Sequence, residues 1–344
     1  MVRIKTTLSS KILFFIAFIL SAVVSLAQQS ETTDPEKAKF IISDIDNFWQ
    51  MYEKLSLAKS RKDSLTILRR HYLDKASEGL KKYFNVERNE NNRSTEDIEN
   101  AYLNFIGKHP KYFKSIRNAT LSIESLKPEF FRTFEKLKGL YPSFKFPDAY
   151  FAIGFANTGA RSFPGGTMYI GAEIFATADS ANYEEFGEDQ WLSRVSMPVE
   201  STHLVLAHEY THGQQKLPPK GTNSLLALAL MEGSAVFVAG LATNGGSLIG
   251  GASIGERALG YGEVQEEEIW NKFVADMQEQ KDSNWFYNAE TEEFPRDMGY
   301  YVGFKICQSY YQNAKDKQQA IKEIVELNDY DSFLKESKYD EIFK

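Results

Sequence analysis

Cysteine is nearly absent from this sequence, because Cys307 is the only one among 344 residues. A single thiol cannot close a disulfide within the chain, so the fold must be stabilised by packing. The sequence also lacks an excess of positive charge, since 40 Lys and Arg stand against 47 Asp and Glu, for a formal net charge of -7. Without a basic face, nucleic acid is not expected as a partner. Internal repeats and low-complexity tracts are lacking as well, which argues against a repeat architecture and extensive disorder.

Long hydrophobic runs are scarce, and the first lies at the start of the chain. Arg3, Lys5 and Lys11 lead into an uncharged apolar run over residues 12–27 that ends in Ser-Leu-Ala. A basic start, a short apolar stretch and small residues before the cleavage point are typical of a secretory signal peptide, here residues 1–27. The alternative is an uncleaved signal anchor, because the run is slightly long. No cysteine lies at the cleavage point, so lipidation is not expected there. We therefore expect an exported bacterial protein, periplasmic or secreted, without a stable membrane span after cleavage.

The rest of the chain divides by pattern into a helical region at 28–140 and a second region at 141–344. In the first region apolar residues recur at three- and four-residue spacing, as helices with one buried face require. The second region opens with short aromatic and β-branched runs at 149–156 and 167–172, which we interpret as antiparallel strands around a long glycine-containing turn. Helical patterns return from residue 201 onward. The prediction is an α+β fold, mostly α-helical, in which the two regions pack together as one unit.

His208, Glu209 and His212 form a His-Glu-x-x-His motif within a helical segment. Positions i and i+4 lie on the same face of a helix, so both imidazoles can bind one Zn²⁺ at about 2.0–2.1 Å. Glu209 points in a different direction, so we expect it to act as a general base that takes a proton from the attacking water and passes it to the leaving amine. The structural alternative is a surface helix with two incidental histidines, and the apolar residues before His208 argue against it.

A third metal ligand is expected, because catalytic zinc normally has three protein ligands and one open position. Gln215 and Pro218 stand where a metzincin would have its glycine and its third histidine, so that class is excluded. Glu232, however, is the only charge in a second long apolar run at 225–242. A lone carboxylate in such a run is costly unless a cation compensates it. The alternatives are a buried acid paired with an arginine and a membrane span interrupted by an acid. We favour Glu232 as the third ligand, which is the arrangement of a gluzincin.

Two further elements are expected around such a site. The strand at 167–172 would be the edge strand along the cleft, able to pair with a peptide backbone. A group that stabilises a tetrahedral oxyanion should come from later in the chain, and Tyr300 is our first candidate, ahead of Tyr301 and Arg296. Core packing is the alternative for both tyrosines. The whole arrangement corresponds to a zincin-like metalloprotease fold with a small antiparallel sheet beside the motif helix.

With these segments the chain resembles the predicted zinc-dependent proteases related to the gliding-motility lipoprotein B group of bacterial envelope proteins. The segments that carry the resemblance are residues 44–49, 165–167, 169–173, 208–212, 232–233 and 299–303. The resemblance implies a gluzincin-like fold and one zinc ion held by His208, His212 and Glu232. The chain departs from the lipoprotein members because it lacks a cysteine for lipidation.

Two functions follow as hypotheses. The first is an exported zinc metallopeptidase that hydrolyses polypeptide substrates, with Glu209 as the base. Endopeptidase activity is favoured, because Met168 is followed by Tyr169 and Ile170 and the Gly-x-Met-Glu-Asn sequence of many zinc aminopeptidases is missing. The alternative is a non-catalytic envelope or gliding-type assembly protein that retains a structural zinc. A base beside the metal favours the enzyme, since a purely structural site does not need one.

Overall fold

The computed structural model describes residues 31–163, 165–177, 181–187, 191–216, 225–243, 256–279, 284–286, 288, 291 and 293–344. The predicted signal peptide lies outside these residues. Within them the chain is mostly helical and includes a small mixed sheet.

Among the described residues six α-helices precede the longest strand, and local sequence explains where most of them begin. The hydroxyls of Ser60, Ser77 and Ser94 accept backbone N–H groups of the first turn of their helices, which satisfies donors that have no partner within the helix. Pro110 and Pro128 lie in the first turn of two others, where a missing N–H has no consequence. The six helices are α1 (Ser43–Leu55), α2 (Arg61–His71), α3 (Glu78–Glu90), α4 (Thr95–Lys108), α5 (Pro110–Ser122) and α6 (Lys127–Leu140).

The sheet is built around its longest strand. Its members are β1 (Glu31–Thr32), β2 (Phe40–Ile41), β3 (Phe146–Ala152), β4 (Ala160–Phe163) and β5 (Thr167–Gly171). On one side of β3, β1 pairs antiparallel and β2 pairs parallel. On the other side β5 pairs parallel, with Ala149 opposite Met168, and β4 then pairs antiparallel with β5. Every residue of β5 is buried, so this strand lies inside the fold.

This topology corrects two predictions about the strands. The runs at 149–156 and 167–172 are parallel rather than antiparallel, and the second run is not an edge strand, because β3 and β4 flank it. The reason is β4, which lies within the segment that sequence reasoning assigned to a turn. Its four residues include one exposed and three half-buried side chains, too short and too mixed to show a strand pattern. By folding back against β5, it reverses the chain and lets β5 run parallel to β3.

The second half of the chain is helical around one central helix. After the sheet come α7 (Ala172–Phe175), α8 (Trp191–Val195), α9 (Thr202–His212), α10 (Leu225–Thr243), α11 (Glu256–Val264), α12 (Glu266–Glu279), α13 (Met298–Asn313), α14 (Lys317–Val325) and α15 (Tyr330–Ser337). Helix α10 packs against α9 on one side and α13 on another. A Cβ atom placed on Gly303 of α13 would lie 1.7 Å from the carbonyl oxygen of Ala229, and one on Gly233 would lie 2.1 Å from the Gly303 carbonyl carbon. The two backbones therefore touch, and only glycine fits at their crossing.

Helix α10 is long and apolar enough to cross a membrane by length and composition alone. However, 78% of its most apolar window is buried inside the protein. Its side chains belong to a hydrophobic core that also includes Trp49 and Phe134 of the first region and Tyr210 of α9. These contacts are those of a core helix, and they weigh against the membrane-span interpretation of residues 225–242.

Candidate metal centre

Contacts on the face opposite the two motif histidines hold helix α9 in place. Tyr210, two residues after His208, points about 200° around the helix from it. Its ring packs on Phe134 of α6 with centroids 4.6 Å apart, and its hydroxyl donates to the Pro147 carbonyl of β3 at 2.6 Å. These contacts join α9 to α6 and to the first part of β3. The imidazoles therefore lie on a helix whose opposite face is packed against α6 and β3.

The structure brings His208, His212 and Glu232 together, with one ligand atom of each within 4.8 Å of the others. The two Nε2 atoms of His208 and His212 lie 3.0 Å apart. The Glu232 Oε2 atom lies 3.2 Å from the Nε2 of His212 and 3.5 Å from that of His208. Bonds of 2.0–2.1 Å in a tetrahedron give edges of about 3.3–3.4 Å between ligand atoms. Two imidazole nitrogens and a carboxylate oxygen at this spacing are a donor set that fits one zinc ion.

Glu232 lies on α10 where that helix faces α9, and its side chain is 15% exposed. In the part of the chain that the structure describes, its ion pairs join it to His208 and His212 and to no lysine or arginine. The arrangement differs from the buried acid–arginine pair that was the alternative for this residue. On the side of α10 away from these histidines' helix, Gly233 immediately follows the glutamate and contacts Gly303 of α13, so the glutamate-bearing helix is packed closely against α13.

The carboxylate of Glu232 and the imidazoles opposite it stabilise each other's charged forms. Burial raises the pKa of Glu232, but the two imidazoles opposite outweigh this effect and hold that pKa well below its usual range. Burial lowers the pKa of His212, yet the Glu232 carboxylate, with a smaller contribution from Glu209, raises it to about 9. A dication would replace the positive charge of the histidine as the partner of the carboxylate.

Glu209 and Tyr300 were predicted to act beside the ligands. The Glu209 side chain is half-buried and near enough to His212 to contribute to its raised pKa. Tyr300 lies in the first turn of α13, 7% exposed, with its ring 5.3 Å from that of Phe286. Arg296, a weaker candidate, bonds to Asp297 at 2.7 Å. The roles of Glu209 as base and Tyr300 as oxyanion stabiliser stay predictions.

Sequence reasoning missed one residue at this site. The Nδ1 atom of His212 lies 2.8 Å from the Oε1 atom of Gln215. In the sequence Gln215 counted only as evidence against a metzincin. Its position three residues after His212 is the signal that could have identified it as a partner of that histidine. The Nδ1 atom of His208, in contrast, is buried and has no hydrogen-bond partner among the described residues. The two histidines are thus held differently.

Comparison with known proteins gives one relationship. A family model described as gliding motility protein GldB matches residues 28–341, which is nearly all of the chain after the predicted signal peptide. No curated protein and no solved structure matches the chain.

Proposed function

Because the chain belongs to the gliding motility protein GldB family, we propose that it is an exported protein of the bacterial cell envelope that binds one zinc ion through His208, His212 and Glu232. Family membership supports the envelope location and a role related to gliding motility. The periplasm or the outside of the cell is the proposed compartment, in agreement with the predicted signal peptide.

The zinc proposal rests on the spacing of three ligand atoms. Their separations of 3.0, 3.2 and 3.5 Å bracket the edge of about 3.3–3.4 Å in a zinc tetrahedron. Two neutral imidazoles and one carboxylate are also the ligand types of many catalytic zinc sites. With two ligands on α9, the third on α10 and strand β3 bonded to α9 through Tyr210, the arrangement agrees with a zincin-like fold, which we propose for residues 141–344.

Between the two roles, the family relationship favours a non-catalytic part in a gliding-type envelope assembly. The matching family is described by motility and not by an enzymatic reaction. In this role the zinc would link α9 to α10 and stabilise the surface that a partner binds. Its partner would be another envelope polypeptide.

Peptide hydrolysis is the second candidate, and one observation favours it. Three protein ligands leave the fourth position of a tetrahedral ion open, and Glu209 lies half-buried next to His208 in the chain and close to His212. Zinc bound there would supply Lewis-acid polarisation of a carbonyl group and of a water molecule. Glu209 would accept a proton from the attacking water and return it to the leaving amine. Such a base has no purpose in a purely structural site.

One experiment separates these roles. Zinc content is measured by elemental analysis in the wild type, in Glu209→Gln and in Glu232→Gln, and each protein is incubated with casein and with a diverse peptide library. Stoichiometric zinc without cleavage supports the assembly role. Cleavage that a chelator abolishes, and that Glu209→Gln loses while keeping its zinc, supports the peptidase. A wild type that binds no zinc contradicts both.

A further inference from the structure

Gln215 lies just beyond the end of α9, three residues after His212, and its side chain spans the gap between α9 and α10. Its Oε1 atom lies 2.8 Å from the Nδ1 of His212. Its Nε2 atom lies 2.7 Å from the Met231 carbonyl oxygen and 2.8 Å from the Ser234 hydroxyl. One amide thus contacts a proposed ligand on one helix and the residues on either side of Glu232 on the other.

The chemistry of these partners determines which way the amide points. The Met231 carbonyl oxygen can only accept hydrogen bonds, so the atom facing it must be the amide nitrogen. The Ser234 hydroxyl donates to the same carbonyl at 3.1 Å, which leaves its lone pairs free to accept from Gln215. The amide oxygen therefore faces His212 and accepts its hydrogen bond. It follows that Nδ1 of His212 carries a proton, whatever the charge of the ring.

We infer that Gln215 is a positioning residue of the metal centre, which selects Nε2 as the ligand atom of His212 and ties the end of α9 to α10 beside Glu232. The inference rests on the proposed zinc site. A ligating histidine whose second nitrogen donates to a fixed acceptor keeps its ring orientation and its tautomer, and loss of such an acceptor typically weakens metal binding 10- to 100-fold. Because the Nδ1 of His208 has no partner among the described residues, Gln215 makes the one hydrogen bond to an Nδ1 atom of the histidine pair that these residues show.

The neighbouring residue offers a matched control. Gln214 lies at the same helix end and also makes three amide hydrogen bonds, to the backbone N–H and carbonyl of Lys145 and to the carbonyl of Tyr210, each at 2.9 Å. None of these bonds involves a histidine. Gln215→Met and Gln214→Met therefore remove the same number of hydrogen bonds at the same helix end, with similar side-chain volumes, and differ in whether His212 loses its acceptor.

The test measures zinc affinity by competition with a chromophoric chelator, and thermal unfolding of the metal-free proteins. We expect Gln215→Met to bind zinc 10- to 100-fold more weakly than the wild type and Gln214→Met to stay within about threefold. Gln215→Glu keeps an acceptor for Nδ1 but places a carboxylate oxygen against the Met231 carbonyl, so it should bind zinc more tightly than Gln215→Met and more weakly than the wild type. The metal-free melting temperatures of the two methionine variants should fall by similar amounts. If Gln215→Met does not fold, Gln215→Asn replaces it with the same expectation, because its side chain is too short to reach both helices.

The outcomes distinguish this inference from the proposed function. Wild-type zinc affinity in folded Gln215→Met would overturn the inference alone, because the wild-type site would still bind the metal. A parallel loss of affinity in both variants would reduce Gln215 to a structural role and would also overturn it. A wild type that binds no zinc would overturn the metal centre and this inference together.

Discussion

Glu173, at the start of the short helix after β5, provides a quantitative test of the fold. The side chain is fully buried. Its Oε1 atom accepts the backbone N–H of Ala156 at 3.1 Å, and its Oε2 atom has no hydrogen-bond partner among the described residues. Burial raises the pKa of this carboxyl to about 7, although backbone N–H groups oppose the shift. The protein thus keeps an acid whose ionisation the folded state resists.

The sign of the resulting pH dependence follows from linkage. Because the folded pKa lies above the unfolded value of 4.5, the unfolded chain loses this proton first as the pH rises. Stability from this group is therefore fully present below about pH 4.5, falls between pH 4.5 and 7, and stays constant above that range. At about 1.36 kcal/mol per pKa unit, the loss amounts to about 3 kcal/mol.

The variant Glu173→Gln removes the ionisation and keeps the amide oxygen for Ala156. We expect its free energy of unfolding, relative to the wild type, to rise by about 3 kcal/mol between pH 4.5 and pH 8. Urea denaturation at several pH values measures this difference, with a chelator present throughout so that metal binding does not contribute. Glu135→Gln, at an exposed position of α6, controls for the loss of a surface carboxylate. A difference between Glu173→Gln and the wild type that does not change across this pH range would refute the reasoning.

Three further predictions concern the site, the helix crossing beside it and a helix cap in the first region. Glu232→Gln should weaken zinc binding by at least about 100-fold, because it replaces an anionic ligand with a neutral amide; equilibrium dialysis measures the loss, and unchanged affinity would remove Glu232 from the site. Gly303→Ala should lower the free energy of unfolding by about 3 kcal/mol, because its methyl group would meet the Ala229 carbonyl at 1.7 Å. Gly107→Ala, in α4, where the added methyl would meet no atom within 4 Å beyond its own stretch of helix, should instead be neutral or stabilising by up to about 1 kcal/mol. Equal effects of the two substitutions in thermal unfolding would contradict the close helix crossing. Ser94→Ala should cost about 1 kcal/mol in the same assay, because it breaks the capping box at the start of α4, and no loss would show that the cap contributes nothing.

Much of the candidate site could be predicted from the sequence because it depends on local geometry. His208 and His212 lie four residues apart, and the pitch of a helix alone places them on one face. Glu232 could be found because a single carboxylate in an apolar run is costly without a partner. In both cases the decisive fact is the spacing or the surroundings of a residue along the chain.

The relative direction of β3 and β5 could not be predicted in this way. The parallel direction of β5 relative to β3 depends on β4, which reverses the chain between them. The four residues of β4 carry too weak a pattern to be recognised as a strand. Whether two strands run parallel or antiparallel depends on how the chain between them folds. The error about the edge strand has the same origin, since an edge is defined by the neighbours a strand has in space.

Sequence alone thus determined the helical character of the chain, the two histidines on one helix face and the isolated acid on a later helix, because each follows from the repeat of a helix or from the cost of a buried charge. Only the tertiary structure decided that the acid meets the histidines, that Gly233 and Gly303 let their helices touch, and that Gln215 holds His212. These contacts join residues that are distant in the chain or lie past a helix end. They exist because α10 is packed between α9 and α13, and that packing is a property of the whole core.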